Sequence, residues 1–208
     1  MDRDPAMPMR SLVLASLVLL ALAAPSLAED TSEMGDAPSP PKWHEFHFPE
    51  RGFVASFPGV TTKPKAQSTP VSGQNPLLQH DYQVNVGDDE VYSVVVFEYP
   101  EGRAPNPPKP DYFRKVVAAY AKGSDTRVRD KSFKTIDGRP GYEAIAEDGR
   151  GKRNHLIDLV ANGDRIYMVV SAGPKGHAKS EDAERFRDSF RLLGGPPPPQ
   201  PADSASAE

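Results

Sequence analysis

The chain has 208 residues, with 25 Lys and Arg against 29 Asp and Glu, and no cysteine. The missing thiols exclude a disulfide framework, a thiolate metal site, a cysteine nucleophile and a lipid-anchoring cysteine. A body of roughly 150 residues can still bury about 68 to 70% of its unfolded surface, so one domain held by its core alone is expected, and a small cystine-stapled scaffold is not.

Residues 1–28 read as a signal peptide: Arg10, an almost unbroken apolar run from Leu12 to Ala24, then Pro25 and the small-residue site Ser26-Leu27-Ala28. That run is shorter than the roughly 20 residues a spanning helix needs, so no transmembrane segment is expected in the mature chain, which would begin at Glu29 and be periplasmic or secreted. Residues 29–42 carry Glu29, Asp30, Glu33 and Asp36 and end in Pro38-Ser39-Pro40-Pro41-Lys42, the composition of a disordered acidic linker. Residues 195–208 open with Gly195 and four prolines and read as a disordered polar tail. The single domain falls at 43–194, where 22 Lys and Arg meet 21 Asp and Glu. So neutral a body argues against nucleic acid as a partner.

Within the domain, Phe53, Ala55 and Phe57 alternate before the Pro58-Gly59 turn, and Leu78, His80, Tyr82, Val84 and Val86 alternate with polar residues, as strands with one wet face do. Val91–Phe97 and Ile166–Val170 are apolar on both faces, which predicts central strands. Gly87-Asp88-Asp89, Asp137-Gly138, Asp148–Gly151 and Asn162-Gly163-Asp164 predict hairpin turns and antiparallel neighbours. Tyr112, Phe113, Val116, Val117 and Tyr120 share one face of a predicted helix over 111–122, with Asp111 as its cap. A second helix is predicted over 180–190, capped by Ser180, with Ala183, Phe186 and Phe190 buried. The order predicts an α+β fold: a mainly antiparallel sheet with two helices packed on its faces.

Trp43 with Phe53–Gly59, the Asp137–Glu143 segment, Asp164–Val169 and Arg185–Phe190 resemble a group of exported bacterial proteins with a PsbP-like α/β sandwich. The resemblance implies that sandwich over most of 43–194. Among PsbP proteins proper it would imply a non-catalytic helper of a membrane complex, but no photosystem-docking or metal-retaining motif is reproduced, and that role is not carried over.

The candidates for chemistry lack the spacing their chemistry needs. His44 and His47 are three apart on a strand, which sends them to opposite faces and not to one metal. His80, His155 and His177 read as satisfied or exposed histidines. Asp88-Asp89-Glu90 lacks the alternating oxygens of a calcium loop. Ser93, Ser132, Ser171 and Ser189 stand outside any nucleophile elbow, and Gly149-Arg150-Gly151-Lys152 lacks the spacer and helix of a phosphate loop. No cofactor is expected. One surface stands out: strand parity places Arg127, Arg129 and Lys131 on a common face, extended by Lys134, as a positive stripe facing an anionic partner or as a charged edge that resists aggregation. The reading is a non-catalytic exported binding or assembly module acting by surface contact, with an envelope protein, an anionic membrane surface or a cell-wall polymer as partner. Its alternative is a periplasmic hydrolase-type enzyme whose site is assembled from non-local residues.

Overall fold

The computed structural model describes residues 41–73, 76–105 and 108–194. The expected signal peptide, most of the acidic linker and the Pro-rich tail lie outside them. Ten strands run in chain order as β1 (Trp43–Phe48), β2 (Phe53–Pro58), β3 (Gln67–Val71), β4 (Leu77–Val86), β5 (Glu90–Glu98), β6 (Thr126–Ile136), β7 (Arg139–Asp148), β8 (Arg153–Asn162), β9 (Arg165–Pro174) and β10 (Arg191–Leu192). Helix α1 (Pro110–Gly123) stands between β5 and β6, and α2 (Glu181–Ser189) between β9 and β10.

These strands form two sheets. Seven make one antiparallel sheet in the order β3-β4-β5-β9-β8-β7-β6, and β1, β2 and β10 make a second of three strands centred on β2. The expected α+β fold, one sheet carrying two helices in a PsbP-like sandwich, is therefore corrected to a largely β domain of two packed sheets. The physical reason is β2. Nearly every one of its side chains is buried, and β1 on one edge and β10, returning from the far end of the chain, on the other make it the centre of its own sheet.

Each face of the large sheet has its own core. On one side Phe48, Phe53 and Phe57 of the small sheet meet Tyr82, Tyr92 and Tyr167 of the large one, with Phe186 and Phe190 closing the end. The Phe48 and Phe53 rings stack at 4.4 Å and Tyr82 stands edge-on to both, an arrangement that adds aromatic contact energy to apolar burial. On the other side α1 lays Phe113 and Val117 over Tyr142, Ala144, Ile157, Leu159 and Met168.

The helix termini differ in how they are stopped. Ser180 caps α2 as expected, its hydroxyl accepting from the Ala183 amide at 3.2 Å. Asp111, the expected cap of α1, lies one residue inside the helix instead, because Pro110 takes the first position and needs no amide partner. Asp111 accepts from Arg114 at 2.6 Å. The Asp137-Gly138 turn has positive φ at both residues, 46° and 73°, the hairpin geometry that matches strand twist.

Candidate functional site

At one end of the large sheet, four strands bring together polar groups that are far apart in the chain. Glu98 ends β5 and stands directly opposite Arg165, which opens β9. Arg165 donates to Glu98 Oε1 from Nε at 3.0 Å and from Nη2 at 2.7 Å. Arg51, from the β1–β2 turn, brings Nη1 to 3.6 Å from Glu98 Oε2. Burial alone would raise the Glu98 carboxyl; the hydrogen bonds from Arg165 and His80, with Arg51 behind them, outweigh it and hold the group below the usual carboxylate range.

His80 lies on β4, diagonal to Glu98, and only 1% of it is exposed. Its Nε2 is 3.1 Å from Glu98 Oε2. Its Nδ1 is 2.8 Å from the hydroxyl of Ser68, the residue directly opposite on β3. An ionised carboxylate can only accept, so in the neutral imidazole Nε2 donates to Glu98 and Nδ1 accepts from the Ser68 hydroxyl. Ser68 itself is exposed, because β3 is an outer strand. Beside this network, Glu98, Arg165, Tyr99, Glu101, Asn162 and Asp164 help to line an open polar depression of about 450 Å³.

The opposite edge of the sheet is β6, which holds Arg127, Arg129, Lys131 and Lys134. A bulge between Val128 and Asp130 shifts the register, so the common face expected from simple alternation is broken. Arg127 stands opposite Glu147 on the side that carries the small sheet. Lys131 stands opposite Ala144 on the α1 side. Arg129 is drawn to Glu147 at 2.7 Å, and Lys134 reaches Glu143 at 2.6 Å and Asp158 at 3.1 Å. Arg127 and Lys131 are exposed and make no ion pair among the described residues. What Lys131 gains is an aromatic neighbour two residues on, Phe133, half exposed and capped by the Arg114 guanidinium at 5.6 Å.

Other polar groups pair within the domain. Tyr120 and His155 Nδ1 are 2.7 Å apart between α1 and β8. Burial, with Arg153 nearby, pushes His155 down to about 4. Asp158, on the other face of β8, is pushed up to about 6 by burial against the pull of Lys134. His177 lies beneath Glu90 at 3.6 Å. His47 bonds Glu45 at 3.1 Å and His44 stands on the opposite strand parity. Asp88 and Asp89 are exposed at a hairpin tip, and residues 149–152 form the turn between β7 and β8. Among the described residues no group of three or more His, Asp or Glu side chains is placed to hold a metal ion.

Sequence reasoning missed Ser68 and Phe133. Ser68 sits in Gln67–Val71, where Pro70 and the absence of alternation conceal a strand, and only the register with β4 sets it against His80. Phe133 had a signal: it alternates out of a run of charged residues, an aromatic with no apolar companion at strand spacing.

Fold and site together define a two-sheet antiparallel β domain with an internally paired polar network at one edge and a cation–aromatic patch at the other. No family model matches the chain. Over 104 residues it is 28% identical to the U3 small nucleolar RNA-associated protein 25 of Clavispora lusitaniae, a stretch that covers 43% of this chain and 15% of that protein. This likeness corrects one expectation. Nucleic acid was excluded as a partner on the near-neutral charge of residues 43–194, and a partial likeness to an RNA-associated protein overturns that exclusion. Net charge averages over the whole surface, whereas phosphates are met by local cations. No helix among the described residues is long and apolar enough to cross a membrane.

Proposed function

We propose that the domain is an exported binding or assembly module that works by surface contact, with its contact centred on β6. The observation that supports this is the exposed Phe133, 50% accessible, on an outer strand, capped by the Arg114 guanidinium and on the same face of β6 as Lys131. A large exposed aromatic flanked by cations is costly to leave in water and is the composition of a contact centre, since aromatic and Arg side chains carry most binding energy. Arg127 and Lys134 lie on the other face of the sheet and Arg129 is engaged with Glu147, so the contact draws on Phe133, Arg114 and Lys131.

The test uses two probes at low salt, an extended poly-glutamate peptide and a single-stranded RNA oligomer, against the wild type and the Phe133→Ala/Lys131→Glu double variant. Binding of the peptide that the double variant loses supports a protein partner. An RNA contact is the second reading, favoured by the likeness to an RNA-associated protein, because bases stack on exposed aromatics and phosphates meet neighbouring cations. Selective RNA binding would establish it. Binding of neither probe, or equal binding by the double variant, overturns the β6 assignment.

A further inference from the structure

We propose that Ser68 is an activated nucleophile, with His80 as its general base and Glu98 as the group that orients the imidazole, in a site that accepts small acyl esters. The proposal concerns β3, at the edge of the large sheet opposite β6, so it goes beyond the binding reading and stands or falls separately from it.

Nucleophile and base are within hydrogen-bond reach at 2.8 Å, and base and orienting carboxylate at 3.1 Å, the two contacts that serine activation requires. The proton positions follow from the chain of partners. Glu98 is tied to Arg165 by two hydrogen bonds and faces Arg51, so it is an acceptor and Nε2 of His80 is the donor. In the neutral imidazole Nδ1 then presents a lone pair to the Ser68 hydroxyl, the tautomer a general base must have. His80 is packed within the sheet and cannot swing away, while Ser68 is exposed on an outer strand where an electrophile can reach it.

In the forward step the Ser68 oxygen bonds to the ester carbonyl carbon and its proton passes to His80 Nδ1. The carbon–oxygen bond to the alcohol breaks, and the departing alkoxide takes that proton, leaving acyl-Ser68 and free alcohol. Water then attacks the acyl carbon, its proton passes to Nδ1, and Ser68 leaves and is reprotonated as the carboxylic acid is released. The open edge places no wall around the acyl group, which fits small activated esters and no particular chain.

The experiment treats the full chain with a fluorophosphonate, which forms an oxygen–phosphorus bond to an activated serine and expels fluoride, and maps the adduct by peptide mass spectrometry. Ser132, exposed on β6 and without a histidine among its side-chain partners, is the internal reference. General-base assistance is worth about 100-fold or more, so Ser68 should be modified at least ~100-fold faster than Ser132, with a matching burst of p-nitrophenol from p-nitrophenyl acetate. Ser68→Ala, a change at an exposed position, should abolish adduct and burst with an unchanged unfolding midpoint. His80→Asn should reduce Ser68 to the Ser132 rate; if that buried substitution unfolds the protein, the Ser68 to Ser132 ratio in the wild type decides. Equal rates at the two serines, or a burst that survives in Ser68→Ala, would overturn the proposal.

Discussion

His155 and Asp158, three residues apart on β8, are both buried, on opposite faces of the large sheet, and their protonation equilibria are displaced in opposite senses. His155 faces α1 and bonds Tyr120. Asp158 faces α2 and meets Lys134, with Glu143 beside it. Burial is the leading cause in both cases, because it disfavours whichever form is charged.

Asp158 therefore sets a pH dependence that a single substitution removes. A carboxyl displaced from 3.8 to about 6 binds more protons in the native state than in the unfolded one between those values, so its ionisation weakens the fold as the pH rises through that window. Two pKa units correspond to about 3 kcal/mol. Denaturant titrations of the wild type and Asp158→Asn, taken from pH 4 to 7, should show the variant gaining on the wild type with rising pH by up to that amount. A constant difference across the window would contradict the assignment.

For His155 the sign is reversed. A base displaced from 6.5 to about 4 binds fewer protons folded than unfolded between those values, so its contribution to stability is intact above about 6.5 and is lost as the pH falls toward 4. His155→Gln should flatten the acid side of the stability profile. Tyr120→Phe leaves Nδ1 without its phenolic partner at 2.7 Å and should cost about 1 to 3 kcal/mol at neutral pH, read from the urea midpoint at unchanged slope.

Two phenylalanines should separate core from surface. Phe186 is 1% exposed and packs edge-on to Tyr92 at 5.3 Å, whereas Phe133 is half exposed. Phe186→Ala is expected to cost about 3 to 5 kcal/mol. Phe133→Ala should stay under about 1 kcal/mol, as surface changes do. Thermal unfolding of the two variants gives the comparison, and a larger loss at Phe133 would mean that β6 is covered.

Gly141 tests packing without any conformational strain, since its φ is not positive. A Cβ there would stand 2.5 Å from Ile136 Cδ1 and 2.9 Å from the Leu159 carbonyl oxygen. The carbonyl belongs to the β8 backbone and cannot yield as a side chain does. Gly141→Ala should destabilise by about 1 to 3 kcal/mol and loosen the β7–β8 pairing, visible as faster amide exchange along both strands.

Much of the strand content could be read from the chain because it depends on neighbours in sequence. Alternation at Leu78–Val86 marked β4, the two-faced apolar runs marked β5 and β9, and these two are indeed adjacent at the centre of the seven-stranded sheet. Ser180 marked the start of α2 because a hydroxyl caps a helix locally.

The tertiary structure alone decided the rest, and in each case the reason is pairing across long sequence separations. That β2 belongs to a separate sheet depended on Leu192 meeting Phe53, which no local pattern records. The bulge at Val128/Asp130 inserts one residue and reverses parity for everything after it, so a stripe that simple alternation places on one face is divided between two. Ser68, His80, Glu98 and Arg165 come from four different strands. Their types were in the sequence, but their contact exists only in the register that burial of the apolar faces imposes.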